Sequence, residues 1–383
     1  MDLAAIRAAH PALAQCIYLN TGTYGLTPTP VVERLLSLTR RFEEEGAVAY
    51  ADLTAQLEAV RERVAACLGA SPDEIAFTRN ATDGVNLVTA GLDWRPGDEV
   101  VLSDQEHPAM DYPWSFLAQT RGVRVVLFQV DPDPRRTLAS VERALSPRTR
   151  VVAASHVSCQ TGIRLPVAEI CALARAHGAL SLIDGAQAFG MIPVDVRAIG
   201  CDFYTTNGHK WLCGPKGTGF FYIRRDLLDQ VRPAHVGAGS ASQFTADRRL
   251  VLQPSARRYE FGSRALAIHV AVGAALDWFD QIGWEAISQR VRALATLLKE
   301  RLQAVPGLVL HTPCDWAAAS GLTSFSLPGL EAAGLQRRLW EEHRIVSRLV
   351  SERNALRLST HYFNTEEEIE RTVAVLHQLA RTA

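Results

Sequence analysis

Residues 202–223 read D-F-Y-T-T-N-G-H-K-W-L-C-G-P-K-G-T-G-F-F-Y-I, two β-type runs joined by a turn that carries Lys210. The lysine stands between His209 and Trp211. Apolar and aromatic neighbours disfavour the ammonium form, and a neutral amine is a nucleophile that forms an imine with an aldehyde. The stretch predicts a reactive lysine, although a surface lysine in a glycine-flanked turn is an alternative on this pattern alone.

A second stretch, residues 179–190, reads A-L-S-L-I-D-G-A-Q-A-F-G and predicts a short apolar strand ending at Asp184. Open α/β sheets bind ligands at the carboxyl ends of their strands. A buried carboxylate there needs a cation, and the pyridinium nitrogen of pyridoxal phosphate is one. Together Lys210 and Asp184 predict a pyridoxal phosphate site, while a helix-cap or turn aspartate before Gly185 is the alternative for Asp184.

The composition predicts a globular protein with a sizeable core and two domains. The chain has 383 residues, a hydrophobic content of 48% and a formal net charge of −1. Charges of both signs are interspersed, which gives no indication of nucleic-acid binding. The N-terminus carries Asp2 and Arg7 where a signal peptide needs an apolar run, and no stretch is apolar enough to span a bilayer. We therefore expect no membrane partner.

The cysteine pattern predicts neither a metal site nor a redox dithiol. Seven cysteines include no C-x-x-C pair. An odd number of cysteines in an ordinary globular chain favours reduced thiols, and hence a cytoplasmic location.

Two further strand ends carry candidate ligand contacts. Residues 75–78 predict a strand and the pattern turns helical from Ala81, so the loop at 79–82 meets a helix N-terminus, which suits a phosphate. Thr82 could instead be only a helix cap. The strand at 100–103 leads to His107, which could stack on a flat ring, although a lone histidine is more often structural.

The order of elements predicts the fold class. Strands at 75–78, 100–103, 123–129, 151–155 and 180–183 alternate with helices, which implies parallel strands joined by crossovers. We expect an α/β protein with a doubly wound α/β/α large domain and a small α+β C-terminal domain. The predicted bounds are 1–16 for an N-terminal segment packing on the small domain, 17–260 for the large domain, and 261–383 for a linker helix and the small domain.

The motifs D-G-A-Q at 184–187 and N-G-H-K at 207–210 resemble those of fold-type I pyridoxal phosphate enzymes of the class V aminotransferase family. That group includes cysteine desulfurases, cystine C–S lyases and isopenicillin N epimerase. The resemblance extends from Y-L-N-T-G-T near the start to R-L-S-T-H-Y-F-N-T near the end. The segments L-S-D-Q-E-H-P and H-K-W-L-C-G-P are most similar to cystine C–S lyases.

The resemblance implies a role for each candidate residue. Lys210 would hold the cofactor as an imine, Asp184 would pair with the ring nitrogen, Gln187 would reach the ring oxygen and His107 would stack on the ring. The phosphate cup would consist of the Ala81 N–H, Thr82, Asn207 and His209, completed by Ser263 of a neighbouring subunit, with Arg264 as an additional candidate. A homodimer with shared active sites follows. Arg357 would bind the α-carboxylate of an amino-acid substrate, for which a planar fork is suited; an exposed strand arginine is the alternative.

Departures from the family pattern bear on the reaction. Cysteine desulfurases carry a nucleophilic cysteine shortly before the arginine, and residues 343–357 contain none, while Cys314 is too far away in sequence. Cys159 stands where many relatives have an asparagine that contacts the ring oxygen. The resemblance therefore favours a C–S lyase over a desulfurase, with an aminotransferase or an epimerase as alternatives. A catalytically silent cofactor-binding or sulfur-carrier scaffold is the non-enzyme alternative, and the presence of Lys210, Asp184, His209 and Arg357 together argues against it.

Overall fold

The computed structural model describes residues 1–381. Within them the strands are β1 (Ile17–Tyr18), β2 (Ile75–Thr78), β3 (Glu99–Ser103), β4 (Arg124–Phe128), β5 (Thr149–Ser155), β6 (Leu180–Asp184), β7 (Phe203–Asn207), β8 (Gly219–Ile223), β9 (Ala241–Phe244), β10 (Leu250–Leu252), β11 (Val309–Leu310), β12 (Leu322–Ser326), β13 (Ile345–Val346), β14 (Arg348–Val350) and β15 (Ala355–Ser359).

The α-helices of the same range are α1 (Leu3–Ala8), α2 (Thr29–Glu45), α3 (Tyr50–Leu68), α4 (Ala81–Gly91), α5 (Pro108–Arg121), α6 (Pro134–Ala144), α7 (Val167–Ala176), α8 (Val196–Ile199), α9 (Leu266–Val270), α10 (Val272–Ile282), α11 (Trp284–Leu302), α12 (Ala332–His343) and α13 (Glu366–Arg381). Local chemistry sets several boundaries. Asn80 caps α4 by accepting the Asp83 N–H at 3.1 Å, and Gly69 ends α3 in the left-handed conformation at φ 68°.

The central sheet of the large domain has seven strands in the order β2-β8-β7-β6-β5-β3-β4. The pairs β3/β4, β3/β5, β5/β6 and β6/β7 are parallel. Alternate residues of each strand face opposite layers: Val151 and Ala153 pack with α4 and α5, whereas Val152 and Ala154 pack with α6 and α7. Helices on both faces of a mostly parallel sheet confirm the predicted doubly wound fold.

One strand departs from the parallel arrangement that the alternation predicts. β8 is antiparallel to both β7 and β2. It follows β7 after the short turn that holds Lys210, and a connection that short cannot cross over the sheet, so the chain must return in the opposite direction. The turn is thereby held at the carboxyl-end edge of the sheet.

The C-terminal region forms a four-stranded antiparallel sheet in the order β11-β12-β15-β14. Its apolar face packs against α11, α12 and α13, with Leu298, Phe325, Leu358 and Leu376 in one core. This arrangement is the small α+β unit that the sequence predicts. Arg357 lies on the central strand β15, opposite Ser324 of β12 and Arg348 of β14.

The N-terminal segment contacts this small unit. Arg7 donates to the Phe363 carbonyl oxygen at 2.8 Å and pairs with Glu368 at 2.8 Å. The short strand β1 pairs in parallel with β13. The sequence pattern at 345–350 suggests one strand, but Ser347 divides it, because β13 pairs with β1 and β14 pairs with β15.

Candidate active site

The carboxyl ends of the parallel strands open onto a cavity of about 500 Å³. Eight of the residues predicted from the sequence line it: Ala81, Thr82, His107, Asp184, Gln187, Asn207, His209 and Lys210. They are far apart in the chain and meet because β2, β3, β6 and β7 all end at this edge.

Lys210 and Asp184 face the same cavity without forming an ion pair. Among the described residues, Lys210 Nζ makes no hydrogen bond, and Asp184 accepts only the Ala186 N–H, at 2.8 Å on Oδ1. Burial lowers the pKa of Lys210, an effect that the charge of Asp184 opposes. Burial likewise raises the pKa of Asp184, and the charge of Lys210 opposes it. Each residue therefore has unused capacity for a bound group.

Gln187 is held in place by two hydrogen bonds. Its Nε2 donates to the Gly22 carbonyl oxygen at 2.8 Å, and its Oε1 accepts from Trp211 Nε1 at 2.8 Å. Trp211 follows Lys210 directly, so the amide is tied to the lysine turn. The second hydrogen on Nε2 is the one available to an oxygen in the cavity.

The N-terminus of α4 lies at the cavity, where the sequence predicts a phosphate site, and one of the predicted contacts is already used within the protein. The Ala81 N–H, predicted to face a phosphate, donates to Asn207 Oδ1 at 2.9 Å. The Thr82 N–H, in the first helical turn, has no carbonyl within its own helix to reach. Thr82 and the amide nitrogen of Asn207 are therefore the donors in position for an anion, together with the positive end of the α4 dipole.

The two cavity histidines are both neutral at pH 7. His107 Nδ1 accepts the Ala109 N–H at 3.0 Å, so the ring proton is on Nε2. Desolvation and the charge of Lys210 lower the pKa of His107 to about 4, and the same two causes lower that of His209 to about 4. The ring of His209 lies 5.7 Å from that of Tyr24, measured between centroids.

Arg357 is buried beside the cavity with only 4% of its surface exposed. Its Nη1 donates to the Cys159 carbonyl oxygen at 2.7 Å and its Nη2 to Thr23 Oγ1 at 3.2 Å, while Nε has no partner among the described residues. None of the acidic side chains of residues 1–381 forms an ion pair with it. Desolvation lowers its pKa to about 10. A buried guanidinium without a carboxylate partner is a ready anion site.

Ser263 and Cys159, two positions singled out from the sequence, differ in where they lie relative to the cavity. Ser263 is exposed and does not line the cavity of its own chain. Cys159 lines the cavity, and burial raises the pKa of its thiol to about 11. A thiol with so high a pKa is protonated at neutral pH and is a weak nucleophile.

The loop at residues 20–27 forms one wall of the site, and the sequence gives only a weak signal for it. Gly25 donates its N–H to the His209 carbonyl oxygen at 2.9 Å and accepts from Lys216 Nζ at 2.7 Å. A Cβ at Gly25 would overlap the Lys210 carbonyl oxygen. Gly25 is the sequence signal that could have identified this loop. Thr23 and Lys216 also line the cavity, and sequence reasoning missed both.

Other site types find no support in the part of the chain that is described. Residues 1–381 contain no group of three or more His, Cys, Asp or Glu side chains placed to hold a metal ion. None of the helices in that range has the length and apolar character needed to cross a membrane.

The residues fit a phosphorylated aldehyde with a basic ring. Lys210 supplies an unbonded amine, Asp184 a buried carboxylate oxygen without a donor, and α4 a helix N-terminus for the phosphate. These three features define the cavity as the site of a pyridoxal phosphate enzyme of fold type I.

The chain belongs to the class V aminotransferase family. The family model Aminotransferase class-V matches residues 17–372. Isopenicillin N epimerase of Amycolatopsis lactamdurans is 35% identical over 384 residues, which cover 95% of each chain. A probable cysteine desulfurase of Methanothermobacter thermautotrophicus (strain ATCC 29096 / DSM 1053 / JCM 10044 / NBRC 100330 / Delta H) is 32% identical, covering 98% of this chain and 97% of the other.

Two similar solved structures are of C-DES. One, a variant with glycine covalently linked to the PLP cofactor, matches with a TM-score of 0.91 and 30% identity over 97% of this chain and 98% of the other. The other, the cystine C–S lyase with its product cysteine persulfide, matches with a TM-score of 0.90 and 30% identity over 96% and 99%. The predicted family, its fold and its dependence on pyridoxal phosphate are thereby confirmed.

Proposed function

We propose that this protein is a C–S lyase that eliminates the β-substituent of cystine or a cysteine-type amino acid. The observation that carries the proposal is Arg357, a buried guanidinium without an acidic partner beside the cavity that Lys210 and Asp184 line. Its planar fork suits the α-carboxylate of an amino acid. The substrate α-carbon would then lie between Arg357 and Lys210.

Each cavity residue has a part in this function. Lys210 would hold the cofactor covalently, and its free amine would act as the general base that takes the α-proton of the substrate. Asp184 would keep the ring nitrogen protonated, and Thr82, Asn207 and His209 would hold the phosphate. The bound cofactor supplies an electron sink that stabilises negative charge at the α-carbon. Gln187 would donate to the ring oxygen and His107 would cover the ring face.

Two features favour elimination from cystine. Arg348 lies opposite Arg357 on the neighbouring strand, so the two guanidinium groups share one face of the sheet, and Arg348 has no acidic partner among the described residues. Cystine carries a second carboxylate that such a cation would bind. Residues 343–357 contain no cysteine, and the exposed Cys314 does not line the cavity, so neither supplies the persulfide-forming thiol of a desulfurase.

The reaction balances without an oxidant. Cystine and one water give cysteine persulfide, pyruvate and ammonia, and Lys210 receives the α-proton as the C–S bond breaks. His107, neutral with its proton on Nε2, would donate to the departing sulfur.

Epimerisation or transamination is the second candidate. The 35% identity with isopenicillin N epimerase favours it, since both reactions begin with the same α-proton removal. Epimerisation needs a proton returned on the opposite face, and Cys159, protonated at neutral pH, is a cavity group that could return it. Transamination needs a keto-acid acceptor.

We further propose a homodimer. Ser263 is exposed in the single chain, in the range where the family resemblance expects a residue that completes the partner's phosphate cup. Sedimentation analysis of the enzyme loaded with its cofactor would measure the oligomeric state directly.

The deciding experiment is incubation of the loaded enzyme with cystine in the absence of any keto acid. Pyruvate and a persulfide should form in equal amounts. If product appears only after a keto acid is added, the enzyme is a transaminase; if only the stereochemistry at the α-carbon changes, it is an epimerase.

A further inference from the structure

Glu106 is a buried carboxyl group, next to the active-site cavity, to which the proposed reaction assigns no role. It is 8% exposed and directly precedes His107. Its Oε1 accepts from Ser103 Oγ at 2.5 Å and from the Ser155 N–H at 2.7 Å, and its Oε2 accepts from Ser155 Oγ at 2.6 Å. Glu106 therefore ties the end of β3 to the end of β5.

Ser155 connects this carboxyl group to the cofactor site. It lines the cavity and is the register partner of Asp184 across the β5/β6 pair. Ser155 thus contacts one buried carboxyl group, Glu106, and is the neighbour of another, Asp184, in the sheet. No Lys, Arg or His of residues 1–381 pairs with Glu106.

The titratable groups that face Glu106 come from two elements. Asp184 approaches from β6, and Cys159 from the loop after β5, where the charge of Glu106 helps to raise the pKa of the thiol. Ser103 and Ser155 are neutral hydrogen-bond partners. With no cation to compensate it, a negative charge on Glu106 acts on Asp184 and on whatever Asp184 binds.

We propose that Glu106 is a positioning residue of the cofactor site: held by Ser103 and Ser155, it sets the charge beside Asp184 and so determines how firmly the cofactor ring nitrogen and the Lys210 nitrogen hold their protons. The inference rests on the proposed function only in placing the cofactor between Lys210 and Asp184. It also accounts for the serines at the ends of β3 and β5, which the proposed reaction does not use.

Burial raises the pKa of Glu106 to about 7, so its charge changes within the working range of an enzyme. At pH 8 the carboxylate is largely ionised and favours positive charge in the cavity. At pH 6 it is largely neutral and this support is weakened. Glu106 therefore adds to the site an acidic group that titrates near neutrality and does not itself touch the cofactor.

The test uses Glu106→Gln, which keeps the shape and removes the charge, with Glu99→Gln as its matched control. Glu99 is also a buried carboxylate held by a serine, accepting from Ser146 Oγ at 2.5 Å, but it lies at the opposite end of β3 and additionally pairs with Arg148 at 3.0 Å. In the loaded enzyme, the pH at which the visible cofactor band titrates should fall by at least about half a unit in Glu106→Gln. It should stay unchanged in Glu99→Gln.

A second measurement needs no cofactor. The folded-state pKa of Glu106 is raised above its unfolded value near 4.5, so its stabilising contribution is full below that value and is lost as pH rises through about 7. The unfolding midpoint of the cofactor-free wild type, measured relative to that of Glu106→Gln, should therefore fall between pH 5.5 and pH 8. The comparison cancels the opposite contribution of the buried histidines, which both proteins share.

The outcomes separate the two proposals. An unshifted cofactor band in Glu106→Gln, or an equal shift in Glu99→Gln, overturns the role of Glu106. If the wild type shows no visible band at all, the proposed function fails, and the stability measurement alone decides whether Glu106 is the neutral-range acid described. If the unfolding midpoint depends on pH equally in the wild type and in Glu106→Gln, the inference is overturned.

Discussion

Asp184 and Lys210 line one cavity at the carboxyl edge of the central sheet and make no ion pair with each other. Asp184 ends β6, and Lys210 follows the neighbouring strand β7. Each charge opposes the effect of burial on the other residue's pKa. A cationic ring between them would pair with the carboxylate of Asp184, and an aldehyde on that ring would react with the amine of Lys210.

Lys210→Ala should abolish covalent attachment of the cofactor. Borohydride reduction of the wild type should fix one cofactor to the peptide that contains Lys210, whereas the variant should lose its colour on dialysis. Lys216→Ala is the control, because Lys216 lines the same cavity but donates to Gly25 O and Thr27 Oγ1, both at 2.7 Å. Fixation of the cofactor on Lys216 in the wild type would contradict the assignment.

Arg348→Gln should raise KM for cystine by about tenfold, which corresponds to roughly 1.4 kcal/mol. It should leave KM nearly unchanged for β-chloroalanine, which has one carboxylate. Arg353→Gln, another exposed arginine near β14, provides the control. Equal effects on both substrates would mean that Arg348 only contributes to the general positive potential of the site.

Cys314→Ser should retain elimination activity within about twofold, since the proposed lyase uses no protein thiol and surface substitutions are usually mild. Cys314 is the exposed cysteine of the described range and should be the first to react with a maleimide. The measurement is pyruvate release before and after modification. Loss of activity in the variant would revive the desulfurase alternative.

Acid should destabilise the fold through two buried histidines. Burial lowers the pKa of His156 and of His361 to about 3. A lowered folded-state pKa gives stability that is present above the unfolded value near 6.5 and is lost as pH falls. Each histidine should therefore cost about 2 kcal/mol of the free energy of unfolding at pH 5 relative to pH 7.

Denaturant titrations at the two pH values measure this loss. His361→Gln should reduce the difference, although it also weakens the bond from His361 Nε2 to the Trp211 carbonyl oxygen at 2.8 Å. The pH slope, rather than the stability at one pH, is therefore the test. A stability that is equal at pH 5 and pH 7 would show that these rings do not stay neutral in the folded protein.

Gly25→Ala should destabilise the protein by about 2 kcal/mol or more, because the new methyl group overlaps the backbone of the lysine turn. Gly334→Ala is the control: it lies within α12 with nothing within 4 Å of the added Cβ, so it should be neutral or stabilising. Thermal unfolding of both variants checks the pair. Equal midpoints would show that the loop at 20–27 moves away at little cost.

The predictable part of this protein was encoded locally. A short apolar strand ending in Asp184, and a turn between two β-type runs carrying Lys210, are patterns of a few consecutive residues, and parallel strands bring such ends to one edge. The helix N-terminus that we propose as the phosphate site was predictable in position for the same reason. Its donors were not, because the Ala81 N–H is taken by Asn207, 126 positions further along the chain.

The sequence by itself determined the fold class, the family and the residues at the strand ends, since periodicity and strand-end chemistry are carried by neighbouring residues. Only the tertiary structure decided that Arg348 lies beside Arg357, that Glu106 is held by serines of two strands, and that Gly25 touches the lysine turn. Those relationships depend on strand register and on close packing between segments distant in the chain, which no local pattern records.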